Sequence, residues 1–350
     1  MNQIEINING RLISKDQPPY IVAELSANHN GSLEYALKNI EMAKKMGADA
    51  IKIQTYTADT LTIDVEHDDF QIREGLWKGQ SLYSLYQQAQ TPYEWHQAMF
   101  EHAKKVGITI FSTPFDESAV DLLEDLNTPA YKIASFEAVD LPLIRYVAQT
   151  GKPMIISTGM ANLEEISEAV EIAKQNGCRE LILLHCISGY PAPVDQSNLH
   201  TIPDLERRFK VIMGLSDHTL GTVASVTSVA LGACLIEKHV TMSRKNKGPD
   251  SAFSLEPEEL ERLCIETKDA WSALGSVGYE RRAIEEENMK FRRSIYAVKD
   301  IFEGEIITQE NIRRIRPGYG LKPKYFDDVL GKKASKMIKR GTALKWEHVL

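Results

Sequence analysis

The chain has 350 residues, enough for two average domains or one large α/β domain with an appendage, and too many for a peptide hormone or a single small module. Apolar residues make up 43% and charged residues 26%, the proportions of a chain that buries a sizeable core rather than of a disordered one. The net charge of −8 hides an asymmetry: residues 283–350 carry 15 Lys and Arg against 10 Asp and Glu, or +5, and the first 282 carry 26 against 39, or −13. Spread over a mixed-sign segment, +5 is too thin a footprint for a nucleic-acid-binding tail.

The N-terminus, MNQIEINI, lacks a basic region followed by an apolar one, and no stretch approaches ~18 uninterrupted apolar residues. The expectation is a cytoplasmic protein with neither a membrane nor a nucleic-acid partner. From residue 20 onward, short β-branched runs alternate with longer amphipathic ones. Candidate strands are YIVAEL (20–25), DAIKIQ (49–54), ITIFST (108–113), AYKIAS (130–135), PMIIST (153–158), LILLHC (181–186), VIMGLS (211–216) and CLIEKHV (234–240). Between them run helical patterns such as LEYALKNIEMAKKMG, ESAVDLLEDL, LEEISEAVEIAKQNG and TVASVTSVALG. Eight such units predict a (β/α)8 TIM barrel over residues 1–275. A doubly wound open sheet is the competing α/β arrangement, but no GxGxxG turn follows the first strand.

Residues 55–95 interrupt the rhythm with a long segment rich in Tyr, Trp, Asp and Gln, expected to wall a site rather than to be disordered. After the last predicted helix (255–275), residues 276–291 read as a polar linker, and residues 292–350 as a small β-rich domain of short strands and turns. The four cysteines, Cys178, Cys186, Cys234 and Cys264, show no CxxC spacing and sit in apolar contexts, so neither disulfides nor a thiolate zinc site is expected.

Barrel enzymes take their catalytic groups from the C-terminal ends of the strands. Here every predicted end is polar: Glu24; Lys52 and Gln54; Ser112 and Thr113; Lys132, Ser135 and Glu137; Ser157 and Thr158; His185, Ser188 and Tyr190; Ser216, Asp217 and His218; Glu237, Lys238 and His239. Lys52 and Lys132 lie inside apolar strands, where an uncompensated charge is costly. A bound anion held with Ser135, Ser157, Ser188 and Ser216 would compensate them; so would pairing with Glu24, Glu137 or Glu237, and a Schiff-base lysine is a third reading. His218 and His239 end neighbouring strands and are either a divalent-metal pair or two structural imidazoles.

The strings IVAELSANHNGS, GADAIKIQTYT, YKIASFE, ISTGMA, GLSDHT, GACLIEKH, DSAFSLEP and RRSI…RPGYGL resemble the sialic acid synthase family of phosphoenolpyruvate-dependent nonulosonate synthases, over about residues 18–348. The family's order is a TIM barrel followed by a small antifreeze-like (SAF) domain. SANHNGS, QTYTADTLT, REGLW, DSAFSLEP and RPGYGL resemble its pseudaminic acid branch.

The resemblance implies that His218 and His239 hold a divalent metal, typically Mn2+, with Mg2+ or Co2+ as alternatives. It implies that Lys52, Lys132, Ser135, Ser157 and Ser216 hold phosphoenolpyruvate, and that Gln54, Glu137, Tyr190 and Asp250 contact the N-acetylated amino sugar or the reacting centre. Glu24 matches the active-site carboxylate after strand one, and Arg316 would reach in from the SAF domain of a partner chain in a domain-swapped homodimer. Ser188, a further candidate for phosphoenolpyruvate, stands where sialic acid synthases have Asn. Glu137 is the expected handler of the water proton, with Glu24 and Lys52 as further catalytic candidates. The rival readings are an N-acetylneuraminate or legionaminic acid synthase, a 3-deoxy-sugar acid synthase, and a catalytically silent sugar-binding protein.

Overall fold

The computed structural model describes residues 4–350. The chain divides into two compact units, one running to Gly275 and the other comprising Ser276–Leu350.

The first unit is a closed barrel of eight parallel strands: β3 (Tyr20–Glu24), β4 (Ala50–Thr55), β5 (Thr109–Pro114), β6 (Tyr131–Ile133), β7 (Met154–Ser157), β8 (Leu181–Cys186), β9 (Ile212–Asp217) and β10 (Leu235–His239), with β10 closing onto β3. Each coincides with a predicted strand. Helices follow them: α1 (Leu33–Lys45) after β3; α2 (Ala58–Leu61), α3 (Leu82–Ala89) and α4 (Tyr93–Val106) after β4; and α5 to α10 in turn, from Glu117–Asp125 to Pro257–Leu274. Their starts are capped as the sequence allows. Ser32 accepts from the Tyr35 N–H, and Asn162 caps α7 (Leu163–Gln175) with Glu165 closing a capping box.

Period-two alternation sorts the strand residues into two layers. Val22, Phe111, Ile155, Ile182, Leu184 and Ile212 fill the barrel interior, while the intervening apolar residues pack outward on the helices. The interior leaves no slack at Gly214, where an added Cβ would stand 2.4 Å from the Leu235 carbonyl oxygen.

Two strands before the barrel, β1 (Ile6–Ile8) and β2 (Arg11–Ile13), were not anticipated. They form an antiparallel hairpin around Asn9 and Gly10, both at positive φ, and Ile6, Ile8 and Ile13 join the interior cluster and plug the barrel from its N-terminal end.

The second unit carries an antiparallel pair, β11 (Ser294–Ala297) and β12 (Ile312–Ile315), over a core that includes Ile295, Ile301, Ile307, Val329, Ile338 and Leu344. The stretch expected as linker contains two short helical turns, Ala283–Glu286 and Glu287–Phe291. Its end is tied to the RPGYG turn by the Gly318 N–H donating to Lys290 O at 3.0 Å. Among the described residues no helix is long and apolar enough to cross a membrane, and all four cysteines are free thiols.

Candidate active site

At the C-terminal end of the barrel the inward positions change from apolar to polar. Glu24, Lys52, Gln54, Thr113, Lys132, Ser157, Cys186, Ser216, Glu237 and His239 occupy the same alternation that places Val22, Phe111 and Ile155 below them.

The centre is a four-membered charge cluster. Lys52 Nζ lies 2.7 Å from Glu24 Oε2 and 3.7 Å from Glu237 Oε1, and Lys132 Nζ lies 3.7 Å from the same Glu237 oxygen. Lys52 also donates to Thr113 Oγ1 at 3.0 Å, and Gln54 Nε2 to Glu24 Oε1 at 3.3 Å. The buried lysines are thus compensated by the chain's own carboxylates, which settles one alternative that the sequence left open. Of the three carboxylates that could have paired with the lysines, Glu24 and Glu237 do and Glu137 does not: among the described residues no ammonium or guanidinium lies within 4.0 Å of it.

Burial dominates the electrostatics. It lifts Glu24 to about 7 against the opposing pull of Lys52. It also acts upward on Glu237, but Lys132 and Lys52 outweigh it and hold that carboxylate below its ordinary value. Lys52 stays above its ordinary value despite burial because Glu237 and Glu24 face it, whereas Lys132 is pushed down by burial. A Glu24 that takes up a proton near neutrality leaves two lysines facing one ionised carboxylate, a cluster suited to receive an anion.

Beside this centre Ser135 and Ser188 share a 2.8 Å hydroxyl–hydroxyl bond, and Ser157 Oγ is buried with no partner among the described residues. Gly159, at φ +43, lies against both serines; an added Cβ would fall 2.3 Å from Ser135 Cβ and 2.7 Å from Ser188 Oγ. Ser216 donates to Glu237 Oε1 at 3.4 Å. The loop after β6 brings Glu137 into the site, half-buried but with Oε2 shielded from water and unpartnered; burial raises it to about 7.

His218 and His239 stand with ring centroids 5.3 Å apart. Since a carbonyl can only accept, the 3.0 Å contact to Ile187 O places the proton of His218 on Nδ1 and leaves Nε2 a free lone pair. His239 Nδ1 is buried without a hydrogen-bond partner among the described residues, 3.9 Å from Asp250 Oδ2. Burial lowers both imidazoles and keeps them neutral. Such a donor pair fits a divalent cation. Among the described residues no group of three or more His, Cys, Asp or Glu side chains converges, so a cation here would take two protein nitrogens and leave its other positions to water or substrate.

An aromatic wall closes this side. Tyr190 lies 4.5 Å from the His218 ring and 5.3 Å from Phe253, and Trp77 of the long insertion reaches Tyr190 at 5.9 Å, its Nε1–H donating to Pro249 O at 3.1 Å. Asp250 follows directly, its carboxylate accepting from Ser26 Oγ at 2.5 Å. Arg316 belongs to the second unit, exposed on the turn after β12.

The NeuB family model matches residues 39–279 and the SAF domain model residues 292–350. The chain belongs to the NeuB family. It is 48% identical over 332 residues to the pseudaminic acid synthase of Campylobacter jejuni subsp. jejuni serotype O:23/36, covering 94% of this chain and 96% of the relative, and 42% identical to that of Helicobacter pylori, covering 94% and 97%. Among solved structures it resembles the N-acetylneuraminic acid synthetase of Leptospira borgpetersenii crystallised with citrate, at a TM-score of 0.73 and 32% identity, covering 83% of this chain and 96% of that one.

In this NeuB-family barrel, sequence reasoning named Thr113 and Glu237 at strand ends, and Glu237 as a possible partner of the lysines, but gave them no part in binding or catalysis; it passed over Gly159 and Trp77 as site residues. Glu237 and His239 are two apart on one strand and face the same way, so alternation from His239 would have turned the carboxylate into the site. The same rule sends Asp217 and Lys238 outward, where they pair at 2.8 Å. Gly159 carries no comparable signal, because its role depends on a serine 24 positions earlier.

Proposed function

We propose that the protein condenses phosphoenolpyruvate with the open-chain aldehyde of 2,4-diacetamido-2,4,6-trideoxy-altrose and water, giving pseudaminic acid and phosphate. The observation that carries this reading is the buried Lys52–Glu24–Glu237–Lys132 cluster beside two neutral imidazoles, in a chain similar over nearly its whole length to pseudaminic acid synthases.

Lys52 and Lys132, with hydroxyls from Ser135, Ser157, Ser188 and Ser216, are placed to neutralise the phosphate and carboxylate of phosphoenolpyruvate. A Schiff-base role for Lys52 requires a neutral amine, and its two carboxylate neighbours push the other way. Gln54, Tyr190 and Asp250 hold the sugar. A divalent cation on His218 and His239, Mn2+ or else Mg2+ or Co2+, supplies Lewis-acid polarisation of the aldehyde when bound.

C3 of phosphoenolpyruvate forms a bond to the aldehyde carbon, whose oxygen takes a proton, and C2 becomes electron-poor. Water adds to C2. The C2–O bond to phosphorus then breaks with departure of inorganic phosphate, leaving a nine-carbon 2-keto acid. Glu137, poised at about 7, removes the water proton, and Glu24, at a similar value, is placed to return one to the new alkoxide.

Phosphate release from phosphoenolpyruvate, measured with this sugar and with N-acetylmannosamine before and after chelation, tests the reading. We expect strong preference for the deoxy sugar, loss on chelation and recovery with Mn2+, with no recovery in His218→Ala or His239→Ala. Preference for N-acetylmannosamine would move the chain to the sialic acid branch, and full activity in both histidine variants would remove the metal.

A further inference from the structure

Ser26 is a non-glycine residue at φ +46, 3% exposed, two positions beyond Glu24. The left-handed region is costly for a side-chain-bearing residue and persists where the surroundings over-determine it, most often at functional sites. Two features of the surroundings separate a structural from a functional explanation.

The first is the loop that carries Asp250. Its backbone is already fixed by Asn28, whose Nδ2 donates to Val240 O and to Ser254 Oγ, each at 2.8 Å, and whose Oδ1 accepts from Ser251 Oγ at 3.1 Å; Ser254 in turn donates to Asp250 O at 2.7 Å. The loop does not need Ser26 for its course. The second is the direction of the Ser26 hydroxyl. It spends its one proton on the Asp250 carboxylate, at 2.5 Å, on the oxygen that lies 3.9 Å from the unpartnered His239 Nδ1.

We propose that Ser26 is a positioning residue for sugar recognition: its strained backbone aims the hydroxyl at Asp250 and locks that carboxylate in one orientation beside His239. The ligand group it serves is a hydroxyl or amide N–H of the open-chain amino sugar, a donor that a fixed carboxylate oxygen accepts. This rests on the reading of Asp250 as a sugar contact.

The test uses the full-length protein with phosphoenolpyruvate and 2,4-diacetamido-2,4,6-trideoxy-altrose, and three single variants. Ser26→Gly removes the hydroxyl and relieves the backbone; Ser26→Ala removes the hydroxyl and keeps the strain; Asp250→Asn removes the carboxylate. We expect both Ser26 variants to raise KM for the sugar about tenfold, the worth of one hydrogen bond. KM for phosphoenolpyruvate should stay within twofold. Thermal stability should be at or above wild type in Ser26→Gly and below it in Ser26→Ala. The double variant Ser26→Gly/Asp250→Asn should be no worse for the sugar than Asp250→Asn alone, because both remove one interaction.

An unchanged sugar KM in Ser26→Gly, beside a raised one in Asp250→Asn, overturns the role of Ser26 alone. Equal rises in both KM values with a fall in Tm make Ser26 merely structural and also overturn it. An unchanged sugar KM in Asp250→Asn overturns the assignment of Asp250, and the positioning role with it.

Discussion

Glu137 presents its Oε2 to the site shielded from water and without a partner, and burial raises its carboxyl to about 7 from an ordinary 4.5. A carboxyl so raised keeps its proton in the folded chain while the unfolded chain releases it. The stability it contributes is therefore complete below pH 4.5 and is lost as pH rises through 7. Glutamine cannot titrate, so Glu137→Gln should gain on wild type between pH 4.5 and 8, by up to about 3 kcal/mol for a shift of this size. Thermal melts of both proteins across that range measure the gain, and the similarly raised Glu24 cancels in the difference. The same variant should lose at least a hundredfold in phosphate release, the usual worth of a positioned acid or base. A stability difference that is flat in pH would remove the raised pKa and with it the proton-transfer role. Residue identity alone made Glu137 a candidate, since it follows β6 closely. Its distance from Lys132, and the choice of Glu237 as the shared partner of both lysines, were not legible, because they depend on which strands become neighbours when the barrel closes.

The elements themselves were legible where one periodicity dominates. All eight strands were legible through the repeat of short apolar runs and longer amphipathic ones, and Lys52 and Lys132, noted inside apolar strands, are buried. The hairpin Ile6–Ile13 escaped because its three-residue strands precede the strand–helix repeat, whereas the equally short β6 is marked by its place between two helical patterns. The insertion between β4 and β5 was legible only by composition: its aromatics argued for a wall, but only the fold joins Trp77 to Tyr190 and to the Pro249 carbonyl. Trp77 is half-buried in a segment with little core of its own, so its contacts bear on the site more than on the barrel. Trp77→Ala should raise KM for the sugar about five- to tenfold, combining the loss of an aromatic pair with that of one hydrogen bond. KM for phosphoenolpyruvate and the melting temperature should hardly move. A variant with normal sugar KM would reduce the insertion to a cover without a part in recognition.

For the molecule as a whole, the charge split gains a meaning that composition could not supply. The −13 belongs mainly to a barrel whose inner end nonetheless concentrates two lysines among its buried carboxylates, and the +5 to a small unit with Arg292, Arg293, Arg313, Arg314 and Arg316 around its strand pair. The resemblance of RPGYGL to the sialic acid synthase family implies that Arg316 would serve the barrel of a partner chain. We propose that arrangement, a homodimer in which each site is completed in trans. It is tested by co-refolding Arg316→Ala chains with Lys132→Ala chains in equal amounts. Neither variant alone should support turnover. In a swapped dimer, half of the randomly paired molecules are mixed, and each mixed dimer joins one intact barrel to one intact Arg316, so activity should return to roughly a quarter of the wild-type level. If Arg316 acts on the barrel of its own chain, every site in the mixture lacks one of the two groups. The recovered activity would then be nil, a difference that a phosphate-release assay on verified mixed dimers resolves.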